Sequence, residues 1–124
     1  MEQAISFERV PTHIFADSEK ASKAVAQEIG ALIRQNNQDN KPTVLGLATG
    51  SSPKKVYQEL IRLHKEEGLS FKHVHTFNLD EYYPMEPDSV QSYTRFMKEQ
   101  LFDQVDIPVT NYHIPDGTLT IEKI

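Results

Sequence analysis

The 124-residue sequence contains no cysteine and no tryptophan. Without thiols, a disulfide framework and a thiolate metal site are both excluded. That composition fits a reducing, cytoplasmic setting. No apolar run approaches the ~20 residues a membrane-spanning helix needs. Residues Met1 to Val10 carry acidic and polar groups and lack the apolar stretch of a secretion signal. Positive charge is also short, with 13 Lys and Arg against 18 Asp and Glu and a formal net charge of −5. Nucleic acid and anionic membranes both select basic faces, so the balance argues against either as a partner. No internal repeat or low-complexity tract is visible. What remains is an ordinary soluble composition, 38% hydrophobic and 25% charged, of a size for at most one domain.

Periodicity organises the chain. A short strand is expected at His13-Ile14-Phe15, then a helix capped by Asp17 or Ser18 with Ala21, Val25, Ile29 and Leu32 on one face. The polar run Gln35 to Asn40 is expected to end it. Thr43 to Ala48 reads as a strand so nearly continuous in apolar character that both its faces are expected to be covered. A second helix is expected from about Pro53 to Glu67, carrying Val56, Leu60 and Leu63 on one face, with Gly68 suited to end it. Strand Val74 to Asn78, a helix from about Ser89 to Phe102 and a strand at Asn111 to Ile114 follow. This alternation predicts an α/β fold with a parallel sheet and crossover helices.

The segment from Val44 to Pro53 changes from apolar to small and hydroxyl-rich within a few residues. Pro53 suits the first position of a helix, which places Ser52 as the expected N-cap. Gly50 lets a ligand approach the backbone. The free amides and positive dipole end of such a helix start attract phosphate, making Thr49, Gly50, Ser51 and Ser52 a candidate phosphate cradle. An ordinary capped turn is the other reading.

In parallel sheets, ligands sit beyond the carboxyl ends of the strands. Asp80 and Glu81 follow the second strand, so they fall on the same sheet edge as the cradle. Asp80 is the candidate general base; a structural turn or a magnesium ligand would also use this residue type. Glu81, pointing the other way, and Tyr82 are candidate lining residues. Tyr82-Tyr83-Pro84 reads as a packed loop or as a lid. Ser92-Tyr93 reads as helix surface or as cleft lining. Lys54 and Lys55 lie near the cradle and read as solvated, although they could add positive charge there. His13, His64, His73, His75 and His113 show no zinc spacing. His73 and His75 share a strand face without a third ligand in view.

Leu45-Gly46-Leu47-Ala48-Thr49-Gly50-Ser51-Ser52-Pro53, Phe77-Asn78-Leu79-Asp80-Glu81-Tyr82, Ser92-Tyr93 and Leu101-Phe102-Asp103-Gln104-Val105-Asp106-Ile107-Pro108 closely resemble the glucosamine-6-phosphate deaminase family. The resemblance runs in order from roughly Ala16 to Gly117. It implies a Rossmann-like fold and conversion of glucosamine 6-phosphate to fructose 6-phosphate and ammonia. Thr49, Gly50, Ser51 and Ser52 would hold the sugar phosphate, and Asp80 would move a proton from C2 to C1. No metal or organic cofactor is implied, and a homo-oligomer is expected. The related 6-phosphogluconolactonases tend to carry Arg where this chain has Tyr82 and Asn where it has Tyr93, so both positions favour the deaminase. A sugar-binding regulatory domain is a third, non-enzymatic branch of the fold. Measured against the family pattern, residues 1–124 are expected to be the N-terminal part of an isomerase/deaminase domain, an incomplete sheet. The ring-opening histidine segment and the later basic phosphate ligands are not among them. Little or no deaminase activity is therefore expected of these residues alone, with a sugar-phosphate-binding module as the alternative.

Overall fold

The computed structural model describes residues 10–120. Helix α1 spans Ser18–Gln38 and is capped by Asp17, whose carboxylate accepts from the Lys20 amide at 2.9 Å. Strand β1 (Thr43–Leu47) leads to α2 (Lys54–Glu67), β2 (Val74–Asn78), α3 (Tyr93–Gln100) and the short β3 (Tyr112–His113). The sheet order is β1-β2-β3 and both pairings are parallel. The Rossmann-like arrangement of helices against a parallel sheet is thus present. The expected strand at His13 to Phe15 does not form; those residues have no regular secondary structure, with Ile14 exposed.

Gly68 ends α2 in the left-handed region at φ 71°, and the amides of Gly68 and Leu69 close back on His64 and Leu63. The α2 face expected from periodicity is observed, with Leu60 and Leu63 fully buried. Each such side chain contributes about 1.5–3 kcal/mol by leaving water. In α1 the buried stripe differs from expectation. Ala26, Gly30 and Ile33 face the core, while Val25 and Leu32 are nearly half exposed. The reason is close packing against α2: a Cβ on Gly30 would lie 3.0 Å from a Leu63 methyl. Small residues decide the contact face there, and summed hydrophobicity does not reveal that. Helix α1 also runs on to Gln38, through most of the polar segment expected to stop it.

Core side chains from all three helices join one cluster with Val74, and Leu45 and Leu47 of β1 pack against it. Among the described residues the opposite face of the sheet is open. Val44 is 61% exposed and Phe77 50%, with His113 stacked on Phe77 at 4.7 Å. Among the described residues, β1 is therefore covered on one face, not two. Its alternating burial replaces the doubly covered strand expected from its apolar run.

Behind α2, Asp106 accepts from the Ser70 hydroxyl at 2.8 Å and the Phe71 amide at 2.6 Å. It thereby fixes the turn that feeds β2. His64 donates its Nδ1 proton to the Leu69 carbonyl at 2.7 Å, so this histidine serves the α2 terminus.

Tyr57 ties α2 to the end of β1. Its hydroxyl donates to the Ala48 carbonyl and accepts from the Ala48 amide. Burial pushes the phenol pKa up, with the Ala48 hydrogen bond opposing. Tyr57→Phe leaves both Ala48 groups without this partner and is expected to destabilise by about 1–3 kcal/mol in chemical denaturation. Because the folded phenol binds its proton more tightly, its contribution is complete below the unfolded value of about 10 and is lost as pH rises past it. The alkaline loss of stability should be smaller in Tyr57→Phe. An equal loss in both proteins would refute this.

Candidate active site

The β1–β2 register pairs Leu47 with Asn78, so the two strands finish level. Thr49 and Asp80 each lie two residues further on. Asn78 is buried at the junction and donates from Nδ2 to the Leu47 carbonyl at 3.1 Å, bracing the two strand ends together. Its Oδ1 has no hydrogen-bond partner among the described residues.

The cradle itself is more open than its sequence suggests. Helix α2 starts at Lys54, with Pro53 at the N-cap in the α region and no side-chain cap. The expected Ser52 cap is not made. A tight turn, closed by the Lys54 amide on the Ser51 carbonyl at 3.4 Å, moves Ser52 out of capping position. Ser51 and Ser52 are exposed, and neither hydroxyl bonds within the described residues. First-turn amides without a side-chain cap suit an oxyanion. Gly50 matters through its φ of 100°, for a Cβ there would meet nothing within 4 Å. Of the neighbouring lysines, Lys54 lies over the Phe96 ring at 5.8 Å and Lys55 donates to the Ser18 hydroxyl at 3.0 Å. Neither is an ion pair, so both charges still add to the potential at the helix start.

The adjacent acids Asp80 and Glu81 separate completely. Asp80 is exposed on the sheet edge. Glu81 turns into the start of α3 and accepts five hydrogen bonds, from the amides of Tyr82, Tyr93 and Thr94 and the hydroxyls of Ser92 and Thr94, at 2.8–3.1 Å. Burial alone would raise its pKa, but these donors together hold the carboxyl below its usual value. The candidate lining residue Glu81 is thus placed as a helix-capping carboxylate. It also explains why α3 begins at Tyr93 and not near Ser89: the N-cap Ser92 is fixed from outside by Glu81 while accepting from the Arg95 amide.

Setting the first turn of α3 positions Tyr93. Its ring packs on Tyr82 with centroids 4.7 Å apart. Its phenol pKa is raised, first by the Tyr82 phenol, then by burial and by the negative charge of Asp80, with Thr49 opposing. Tyr93 therefore stands within electrostatic reach of the base candidate. Tyr82 and Tyr93 also border a groove of about 540 Å³ with Tyr83, Pro84, Met85 and Gln91. Tyr82 and Tyr83 are each 51% exposed, so this loop is a rim and not a buried plug. Gly117 supports it: the Gly117 carbonyl accepts from the Met85 amide at 2.9 Å, and a Cβ would sit 2.7 Å from the Tyr82 carbonyl oxygen. Among the described residues no group of three or more His, Asp or Glu could hold a metal ion.

The family model for glucosamine-6-phosphate isomerases and 6-phosphogluconolactonase matches residues 16–123. The chain belongs to this family. Glucosamine-6-phosphate deaminase 2 of Giardia intestinalis is 52% identical over 101 residues, which is 81% of this chain and 36% of that protein. A solved monomeric glucosamine-6-phosphate deaminase superposes with a TM-score of 0.78 at 35% identity, covering 86% of this chain and 43% of the other. The 6-phosphogluconolactonase of Thermotoga maritima superposes with a TM-score of 0.68 at 27% identity, covering 88% and 47%. The chain thus spans less than half the length of these relatives.

Tyr57, Asn78 and the Glu81–Ser92 cap are the supports that pattern reading missed. Each joins residues from different elements, so local spacing carries no signal for them. Two substitutions test the site. Glu81→Gln is expected to cost about 1–3 kcal/mol at neutral pH. The wild-type advantage should be complete above the ordinary glutamate pKa of about 4.3 and fade as pH falls below it, measured by denaturation across that range. A constant advantage down to strong acid would contradict the assignment. Gly50→Ala forces an L-residue to positive φ and should cost about 1–3 kcal/mol or shift the cradle. Unchanged stability together with unchanged Ser51 and Ser52 amide resonances would refute that.

Proposed function

We propose that residues 1–124 are the N-terminal part of a sugar-phosphate isomerase/deaminase domain, and that the whole protein converts glucosamine 6-phosphate and water to fructose 6-phosphate and ammonia. The observation that carries the reading is the level finish of β1 and β2, which sets the cradle beside Asp80. Deaminase is favoured over lactonase because relatives named glucosamine-6-phosphate deaminase reach 54% identity, against 27% for the solved Thermotoga maritima lactonase. The solved lactonase supports the hydrolase alternative more weakly.

In this reading Thr49, Gly50, Ser51 and Ser52 hold the phosphate of the opened sugar. The Asp80 carboxylate removes the C2 proton, and the electron pair forms a C1–C2 double bond as the aldehyde oxygen takes a proton from solvent. Asp80 returns its proton to C1 while the nitrogen lone pair forms an imine at C2. Water adds to C2 and ammonia leaves, giving the ketose. The exposed position of Asp80 keeps it available as a base. Tyr93, within electrostatic reach of Asp80, helps orient the sugar. The chemistry needs no metal or organic cofactor. A cytoplasmic location and self-association of the whole protein complete the proposal.

Ammonia release and solvent deuterium uptake at C1 of fructose 6-phosphate measure this directly. The 124 residues alone are expected to release little or no ammonia. Any C1 exchange they catalyse should vanish in Asp80→Asn. Exchange undiminished by that substitution would sink the role of Asp80, and turnover comparable to a full-length deaminase would sink the expectation of incompleteness.

A further inference from the structure

The three strands begin at the sheet edge opposite the cradle, and the loops that enter them bound a separate cavity of about 180 Å³. Lys41 lines it from before β1, Lys72 and His73 from before β2, His75 from within β2, and Asn40, Pro42 and Asn111 complete it. No carboxylate lines this cavity, although the chain as a whole carries a net charge of −5. Among the described residues neither lysine has a carboxylate partner within 4.0 Å, a state they share with the other described lysines.

Lysines near helix C-termini often serve only to offset terminal carbonyls. Here that work is done by backbone. Asn40, at φ 56°, turns the chain so that its own amide and those of Asp39 and Lys41 close on Asn37, Gln35 and Asn36. The end of α2 is closed in the same way by Gly68 and Leu69. Asn111 in turn donates from Nδ2 to the Lys72 carbonyl at 3.3 Å, which fixes the backbone carrying that lysine. One water needs only ~10–15 Å³ of such space, so the volume admits a phosphate-sized ion with part of its hydration shell.

We propose that this cavity is a second anion site, taking a small phosphate-type oxyanion. The five-residue strands place it about 15–20 Å from the cradle. Lys41 and Lys72 supply fixed positive charge, and the two imidazoles and two asparagine side chains supply hydrogen-bond donors. The site is independent of the proposed reaction, since none of its residues belongs to the cradle or neighbours Asp80.

The test is an NMR titration of the isotopically labelled chain with inorganic phosphate, read separately at the two ends of the sheet. Saturable shifts are expected at the His73 and His75 rings and the Asn111 side-chain amide. The double substitution Lys41→Gln, Lys72→Gln should weaken that response roughly fivefold, as two exposed charge contacts would. The Gly50 to Ser52 curve should not change. A parallel titration with fructose 6-phosphate separates a free phosphate from a phosphorylated metabolite by which saturates the cavity at lower concentration. Linear, unsaturated shifts at the cavity, or a response unaltered in the double variant, would overturn the proposal. Loss of response at the cradle alone would count against the catalytic reading and leave this one standing.

Discussion

A single phenol holds the strand exit on which the site depends. Tyr57 reaches from the first turns of α2 to both polar groups of Ala48, where β1 gives way to the cradle. The backbone amide and carbonyl there would otherwise have no ladder partner at the sheet edge. With Asn78 bonded to Leu47 one residue earlier, the ends of β1, β2 and α2 form one rigid corner. The cradle leaves that corner without a side-chain cap of its own, so its amides stay open while its position is fixed. A flexible phosphate loop would have to order itself around each ligand and would lose affinity in doing so.

The paired acids show how one short motif divides between an exposed sheet edge and a helix start. Asp80 stays on the exposed edge, while Glu81 is saturated with donors at the start of α3. An anion at that position also complements the helix dipole. Capping α3 at Ser92 then brings Tyr93 onto Tyr82. The acidic neighbour of the base candidate thus acts through the helix it begins. Asp106 plays a comparable part on the far side, anchoring the turn before β2. Motif residues of this family therefore divide between the site and its supports.

Local pattern made much of this visible. The Asp17 cap, the Leu60 and Leu63 face, Gly68 and the Val74–Asn78 strand all follow from short-range chemistry, and strand alternation with helices puts Thr49 to Ser52 and Asp80 on one edge. Periodicity failed where contact geometry overruled hydrophobicity. Gly30 draws α1 against Leu63 and turns Val25 and Leu32 outward. The apolar run of β1 suggested two covered faces, yet the described helices all pack on one. Pro53 was a sound marker of the α2 start, but the turn beneath it took the N-cap from Ser52. The long-range ties from Tyr57, Asn78 and Glu81 have no counterpart in linear spacing.

The proposed reaction requires the cradle and Asp80 to act as one sugar-phosphate site. Amide-resolved NMR during titration with fructose 6-phosphate tests that most directly. The expected result is saturable shifts at Gly50 to Lys54 and at Asp80 and Glu81 that share one dissociation constant. Shifts at one loop without the other, or two loops titrating with different constants, would contradict it.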